Sequence, residues 1–418
     1  MKITFKKIMG ICLSMVLAFS VTLTAYAEPI CGFGCLDDYE FDKATGHLFI
    51  GKEIESQSIK MYLDSVCFSP FSLESIRSVT IKDGVTKIGN GAFSDCSNLI
   101  NVEIPDSVTS IGSNAFDDCT SLTSINIPDR VTSIESGTFQ RCINLSQVKI
   151  PYGVTQIDSS AFKDCASLGE IIIPNSVTRI GKYAFTAAAL KEVKIPGSVN
   201  YFCHAFDNCE NLQKVEFSQG LRCISDSAFE RCIHLKEIVI PNNSSMTEIG
   251  EKAFCGCNSL TSITIPEGVI SIGGGAFKNC INLEEAKLPD SIRKLPGGTF
   301  FDYVFCREIH EDGLFCGCRK LKRVNIPACV PAIPPDLFKG CISLKEVTIP
   351  GSVTEIGRRA FEGCTSLKKV TIPHSVASIE ENAFKGCWGL KEVDIQNRLT
   401  SIDKTAFEGC TNLFSFQK

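Results

Sequence analysis

Cysteine offers this chain its widest choice of chemistry, since a thiolate can act as nucleophile, soft-metal ligand or redox centre. There are 23 cysteines. Thirteen of them stand three residues after a phenylalanine, at positions 96, 119, 142, 165, 209, 232, 257, 280, 318, 341, 364, 387 and 410. One small apolar side chain per turn of a repeating structure accounts for that regularity, and unpaired cysteine is among the most buried residue types. The thirteen are read as a buried thiol ladder. Cys255-Gly256-Cys257 and Cys316-Gly317-Cys318 have the outline of two halves of a four-thiolate zinc site, but the copy between them carries Lys278 at the extra position. Two rises of about 4.8 Å would hold the extra thiols about 10 Å apart, too far for one metal at about 2.3 Å from each sulfur. Off the ladder, Cys203, Cys223, Cys306 and Cys329 stand as disulfide candidates, with Cys31, Cys35 and Cys67 near the N-terminus.

Other reactive residue types form no constellation. The five histidines, at 47, 204, 234, 310 and 374, fall in different parts of the chain. His-Glu-x-x-His, Gly-x-Ser-x-Gly and a phosphate-binding glycine loop are all missing from the sequence. Asp95, Asp118 and Asp164 recur just before a ladder cysteine and raise calcium, yet glycine takes the same place in later copies. Gly, Asn or Asp fills that place in eleven of fourteen copies, which predicts a left-handed backbone there and explains the aspartates as turn residues. No enzyme, cofactor or metal is expected.

What must position these residues is a 23-residue unit, seen cleanly from Ile349 to Val370. Its phenylalanine recurs at 93, 116, 139, 162, 185, 206, 229, 254, 277, 315, 338, 361, 384 and 407, fourteen copies in all. One copy offers Ile349, Val353, Ile356, Ala360, Phe361, Cys364, Leu367 and Val370, too few apolar groups to close a core alone. Stacked copies bury a continuous one. Each copy opens with a strand of the form Leu-x-x-Val-x-Ile, and proline follows in eleven of thirteen, Ser218 and Gln396 being the exceptions. Proline lacks a backbone donor, so it ends the strand. A second extended piece, such as Val353 to Ile356, leads into a tight turn that points Ala-Phe inward.

The string Val-Thr-x-Ile-Gly-x-x-Ala-Phe-x-x-Cys-x-x-Leu resembles the BspA-type leucine-rich repeat family. Phe41-Asp42-Lys43-Ala44-Thr45-Gly46, with Ile81-Lys82-Asp83-Gly84-Val85 further on, is similar to the capping region that often precedes such repeats. The resemblance implies a leucine-rich-repeat solenoid, a curved parallel β-sheet, mainly β with short helical turns, of about 14 coils. It also implies secretion or surface exposure and binding to other proteins, extracellular-matrix proteins among them, and it does not imply an enzyme.

The expected organisation is a signal peptide at 1–27, a capping segment at 28–75 and repeats at 76–418. Lys2, Lys6 and Lys7 precede an apolar stretch from Ile8 to Leu23 and an Ala25-Tyr26-Ala27 cleavage site. Removing that segment leaves 39 basic residues against 47 acidic ones. Such a balance argues against nucleic acid or an anionic membrane surface as partner, and no later stretch is apolar for long enough to span a membrane. The period breaks between Phe185 and Phe206, at Asn242 to Met246, and at an insertion of about fifteen residues between Phe300 and Leu314. Insertions in solenoids map to loops, often on the binding face. Phe301, Tyr303 and Phe305, with His310, are the candidate anchors there, because the outward strand positions read as polar and without aromatic anchors. Asn144-Leu145-Ser146 and sequons at Asn242 and Asn243 would be glycan acceptors in a eukaryotic secretory pathway. The function expected is adhesion to an extracellular matrix or cell-surface protein. The rival expectation is a structural surface protein that self-associates through the C-terminal strand around Phe414 to Phe416.

Overall fold

One repeat makes one three-sided turn, and residues 99–119 show how its sequence dictates the path. In the first strand, Asn101–Glu103, side chains alternate between faces, so Val102 is buried while Asn101 and Glu103 meet solvent. Pro105 stops the strand, and its carbonyl accepts the Val108 amide at 3.1 Å to close a tight turn. A second strand, Ser110–Ile111, buries Ile111. The last side carries Ala115, Phe116 and Cys119 inward, all fully buried.

Stacked turns build the molecule, a parallel β-solenoid in a computed structural model that describes residues 39–42, 44–51, 73–242, 245–296, 298–302, 307–396 and 400–417. The segment expected as signal peptide and Cys31, Cys35, Cys67, Tyr303, Phe305 and Cys306 lie outside those residues. First strands pair in parallel one copy apart, Glu192–Ile195 against Lys214–Phe217 for example, and second strands do the same, Gln156–Ile157 lying between Ser133–Ile134 and Arg179–Ile180. At the N-terminal end Tyr39–Asp42 runs antiparallel to His47–Ile50, which pairs in parallel with Ser78–Ile81. This strand, turn and strand thus extend the first sheet.

The third side holds the molecule's unbroken ladder. The amide of each phenylalanine donates to the carbonyl of the residue before the next phenylalanine, from Phe93 to Ala115 at 2.7 Å through to Phe384 to Ala406 at 2.7 Å. It continues across the short copy, Phe185 to Ala205, and across the insertion, Phe277 to Leu314. The fourteen rings stack beneath it with neighbouring centroids 4.9–6.0 Å apart. The first sheet, by contrast, comes in blocks, and residues 170–172 belong to no strand between the blocks ending at Gln147–Lys149 and beginning at Glu192–Ile195.

The short helical turns expected here are almost wholly replaced by tight turns; among the described residues the one helical piece is a 3-10 turn at Leu73–Ser75. Bonds of the i→i−3 kind, such as Cys96 to Phe93 and Leu99 to Cys96, close each phenylalanine turn. Left-handed residues stop a helix from propagating. The residue before the ladder position has a φ of 56–78° in all fourteen copies, including Arg141, Ala187 and Arg231, where the sequence offers no glycine or amide. A second left-handed column, two residues before phenylalanine, runs through Asn114, Ser160, Tyr183 and Arg359 among others. The sequence does not advertise it, because its residue types are so mixed.

Polar side chains tie adjacent turns on the outside. Ser107, Ser176 and Ser352 donate to the carbonyls of Val85, Val154 and Val330 at 2.6–2.8 Å. Asn144 donates to the Thr120 carbonyl at 2.8 Å, so its amide, read as a glycan acceptor, is engaged with the preceding turn.

Candidate protein-interaction surface

The ladder cysteines are where the sequence expected them, and the structure gives them an additional task. From Cys119 onward each thiol donates back to the phenylalanine carbonyl of the preceding turn, as in Cys119 to Phe93 at 3.1 Å and Cys232 to Phe206 at 3.2 Å. Burial pushes the Cys96 thiol up to about 12 and drives Cys232 and Cys341 well above the ordinary range, so these thiols stay protonated. Off the ladder, Cys203, Cys223 and Cys329 are free thiols rather than disulfide partners. Burial raises Cys255 to about 11 and also raises Cys316, the two flanking Lys278. A raised thiol is a poor nucleophile at neutral pH.

The insertion is a β-hairpin rather than an irregular loop. Gly298–Asp302 pairs antiparallel with Arg307–Glu311, placing Phe301 opposite Glu308 and His310 opposite Thr299. Its ends are anchored at buried Leu295 and Leu314. Asp312 keeps the ladder register by accepting the Gly275 amide at 2.8 Å, and its carboxylate pairs with Lys278 at 2.8 Å.

A different surface has the geometry of a binding groove. Where the first sheet is interrupted, Ser124–Asn126, Gln147–Lys149 and residues 170–172 enclose a cleft of about 610 Å³. Ile125 and Val148 form its floor, because the alternation along their strands turns them toward the core, and Ile171 lines it beside them. Two apolar side chains stand out at its edge: Tyr152 is 76% exposed and Ile172 is 81% exposed. Lys149 Nζ lies 5.9 Å from the Tyr152 ring centroid. An apolar floor, an aromatic at the edge and polar Ser124, Asn126, Gln147 and Glu170 around it match the core-and-rim pattern of protein interfaces. About six turns, roughly 30 Å, separate the groove from the hairpin along the axis.

The sequence reading found this sheet face polar and without aromatic anchors, and it missed Tyr152. That residue follows the strand-ending proline, just beyond the strand positions. The signal was present: the same place holds Asp106, Asp129, Asn175, Glu267 and Asp290 in other copies. Ile172 likewise departs from a mostly polar column.

Among the described residues no helix is long and apolar enough to cross a membrane, and no group of three or more His, Cys, Asp and Glu is placed to hold a metal ion. The model of the BspA type leucine rich repeat region matches residues 62–191, 178–307 and 307–417. A leucine-rich repeat protein from Bacteroides ovatus is 26% identical, with 91% of this chain and 93% of that one covered and a TM-score of 0.52. A leucine rich cell surface protein from Faecalibacterium prausnitzii is 24% identical over 95% and 96%, with a TM-score of 0.41. A leucine-rich repeat protein from Eubacterium ventriosum is 24% identical over 84% and 93%, with a TM-score of 0.45. No curated protein matches the chain.

Proposed function

The chain belongs to the BspA-type leucine-rich repeat family, and on that premise we propose that it is a secreted or cell-surface protein that binds another protein, as an adhesin for a matrix or cell-surface partner. The observation carrying this reading is the groove on the first sheet, with Tyr152 and Ile172 exposed beside an apolar floor. Removing large apolar side chains from water is favourable in proportion to the area covered, so a partner that buries them gains affinity. The insertion, carrying Phe301, Tyr303, Phe305 and His310 in its sequence, is the second proposed contact.

Capture of extracellular-matrix and cell-surface proteins by the intact chain tests the reading, beside a Tyr152→Ala/Ile172→Ser variant. The variant should lose about 2 kcal/mol or more of affinity for whatever partner is captured. Equal affinity would remove the groove from the interface. Self-assembly is the second reading, favoured by Phe414, which is 79% exposed on the last described turn. Mass that rises with concentration, without capture of any partner, would favour it over adhesion.

A further inference from the structure

Surface cations on this solenoid are commonly held by carboxylates one turn away. Lys194 pairs with Glu216, Lys214 with Glu237, Lys369 with Glu392 and Lys385 with Glu408. Arg179 and Lys182 depart from that habit. The Arg179 guanidinium carbon lies 5.8 Å from the Tyr201 ring centroid, and Lys182 Nζ lies 4.8 Å from that of Tyr183. The Tyr183 ring in turn lies 5.4 Å from the His204 ring. Both cations are exposed, and among the described residues neither makes an ion pair. Asp226, a nearby carboxylate, is engaged with the Glu251 amide at 2.7 Å.

The cluster spans the short copy. Stacking of equivalent positions puts Tyr201 beside Arg179 in an isolated parallel bridge, and His204 beside Tyr183, across a copy with two residues fewer between Phe185 and Phe206. Arg222 is exposed on the following turn. The whole chain carries a formal net charge of −5, so this basic surface stands against an acidic background. Aromatic rings hold exposed cations more weakly than carboxylates do, and they leave the guanidinium and ammonium donors unneutralised.

We propose that Arg179, Lys182, Tyr183, Tyr201 and His204 form a docking surface for an acidic segment of a protein partner, whose Asp and Glu carboxylates pair with Arg179 and Lys182. The proposal rests on the protein-binding reading and adds the chemistry of the partner. Charge complementarity selects the occupant, and the tyrosines supply rigid contact area around the ion pairs. A sulfated sugar chain would also answer the charge, but sugar rings need open aromatic faces. Arg179 and Lys182 already lie over the faces of Tyr201 and Tyr183.

Calorimetric titration of the intact chain with an oligoglutamate peptide tests this, and needs no knowledge of the natural partner. Binding should weaken as salt is raised and should fall roughly tenfold or more in an Arg179→Gln/Lys182→Gln variant. A Lys345→Gln/Lys368→Gln variant removes the same charge elsewhere and should change affinity by less than about twofold. The Tyr152→Ala/Ile172→Ser variant should bind the peptide normally, so loss of the groove and loss of this surface read out separately. The idea is overturned by absence of peptide binding to the intact chain, by equal losses in the two lysine-containing variants, or by a sulfated oligosaccharide binding more tightly at the same residues. Unchanged melting temperatures in each variant show that the comparison is between folded proteins.

Discussion

A thiol ladder ties stability to pH through residues that take no part in binding. Cys96 has a folded pKa near 12 against an ordinary 9.0, because burial disfavours its thiolate. The unfolded thiol ionises first, so its contribution is complete below about pH 9 and is lost as pH climbs toward 12, at about 1.4 kcal/mol per pH unit for each such thiol. Cys142 and Cys280 are shifted in the same direction for the same reason. Urea midpoints should therefore fall steeply above pH 9, and less steeply in a Cys96→Ala variant; a flat profile from pH 9 to 11 would contradict the burial of these thiols. One copy carries a smaller group, since Ala188 takes the ladder place after Phe185. The ladder was legible in the spacing of cysteine to phenylalanine. Its hydrogen bond to the preceding turn was not, because that carbonyl comes from a residue 24–41 positions earlier, and only stacking brings the two together.

At the scale of the element, the phenylalanine turn is governed by backbone handedness. Gly363 has a φ of 74°, and a Cβ there would come no closer than 3.8 Å to Gly340 Cα, so space is not the constraint. Gly363→Ala should still destabilise by about 1–2 kcal/mol, from the left-handed conformation alone. Ala187 already bears that cost at φ 56°. Ala187→Gly should accordingly stabilise by up to about 1 kcal/mol, once the entropy of the added glycine is offset. Opposite signs for the two substitutions in chemical denaturation would support the handedness argument, whereas a loss in both would show that packing dominates. Eleven of fourteen copies announced this position through Gly, Asn or Asp. The second left-handed column could not be announced, because residues as different as Ser160, Tyr183, Lys252 and Arg359 occupy it, held there by the ladder on either side.

Across the whole molecule, one core runs from Leu48 to Ala406, and each turn rests on its neighbours. Stability in such a stack is a sum over turns and their interfaces, so material added outside the register is tolerated. Deleting residues 297–311 joins Pro296 to Asp312 and restores the 23-residue spacing between Phe277 and Phe315. The ladder bond from Gly275 to Asp312 and the buried Leu295 and Leu314 all involve residues outside the deleted segment. The shortened chain should melt within a few degrees of the intact one, and a drop of more than about 10 °C would show that the hairpin braces the stack. Period, strand, proline and phenylalanine column were settled by sequence, because one apolar pattern repeated at fixed spacing has one way to bury itself. The proposed binding surfaces were decided by tertiary structure. Tyr152 and Ile172 lie twenty residues apart yet border one groove, and Arg179 meets Tyr201 because the stack sets equivalent positions of successive copies side by side. A groove depends on which turns part and which close, and that follows from the packing of many copies together rather than from the letters of any one.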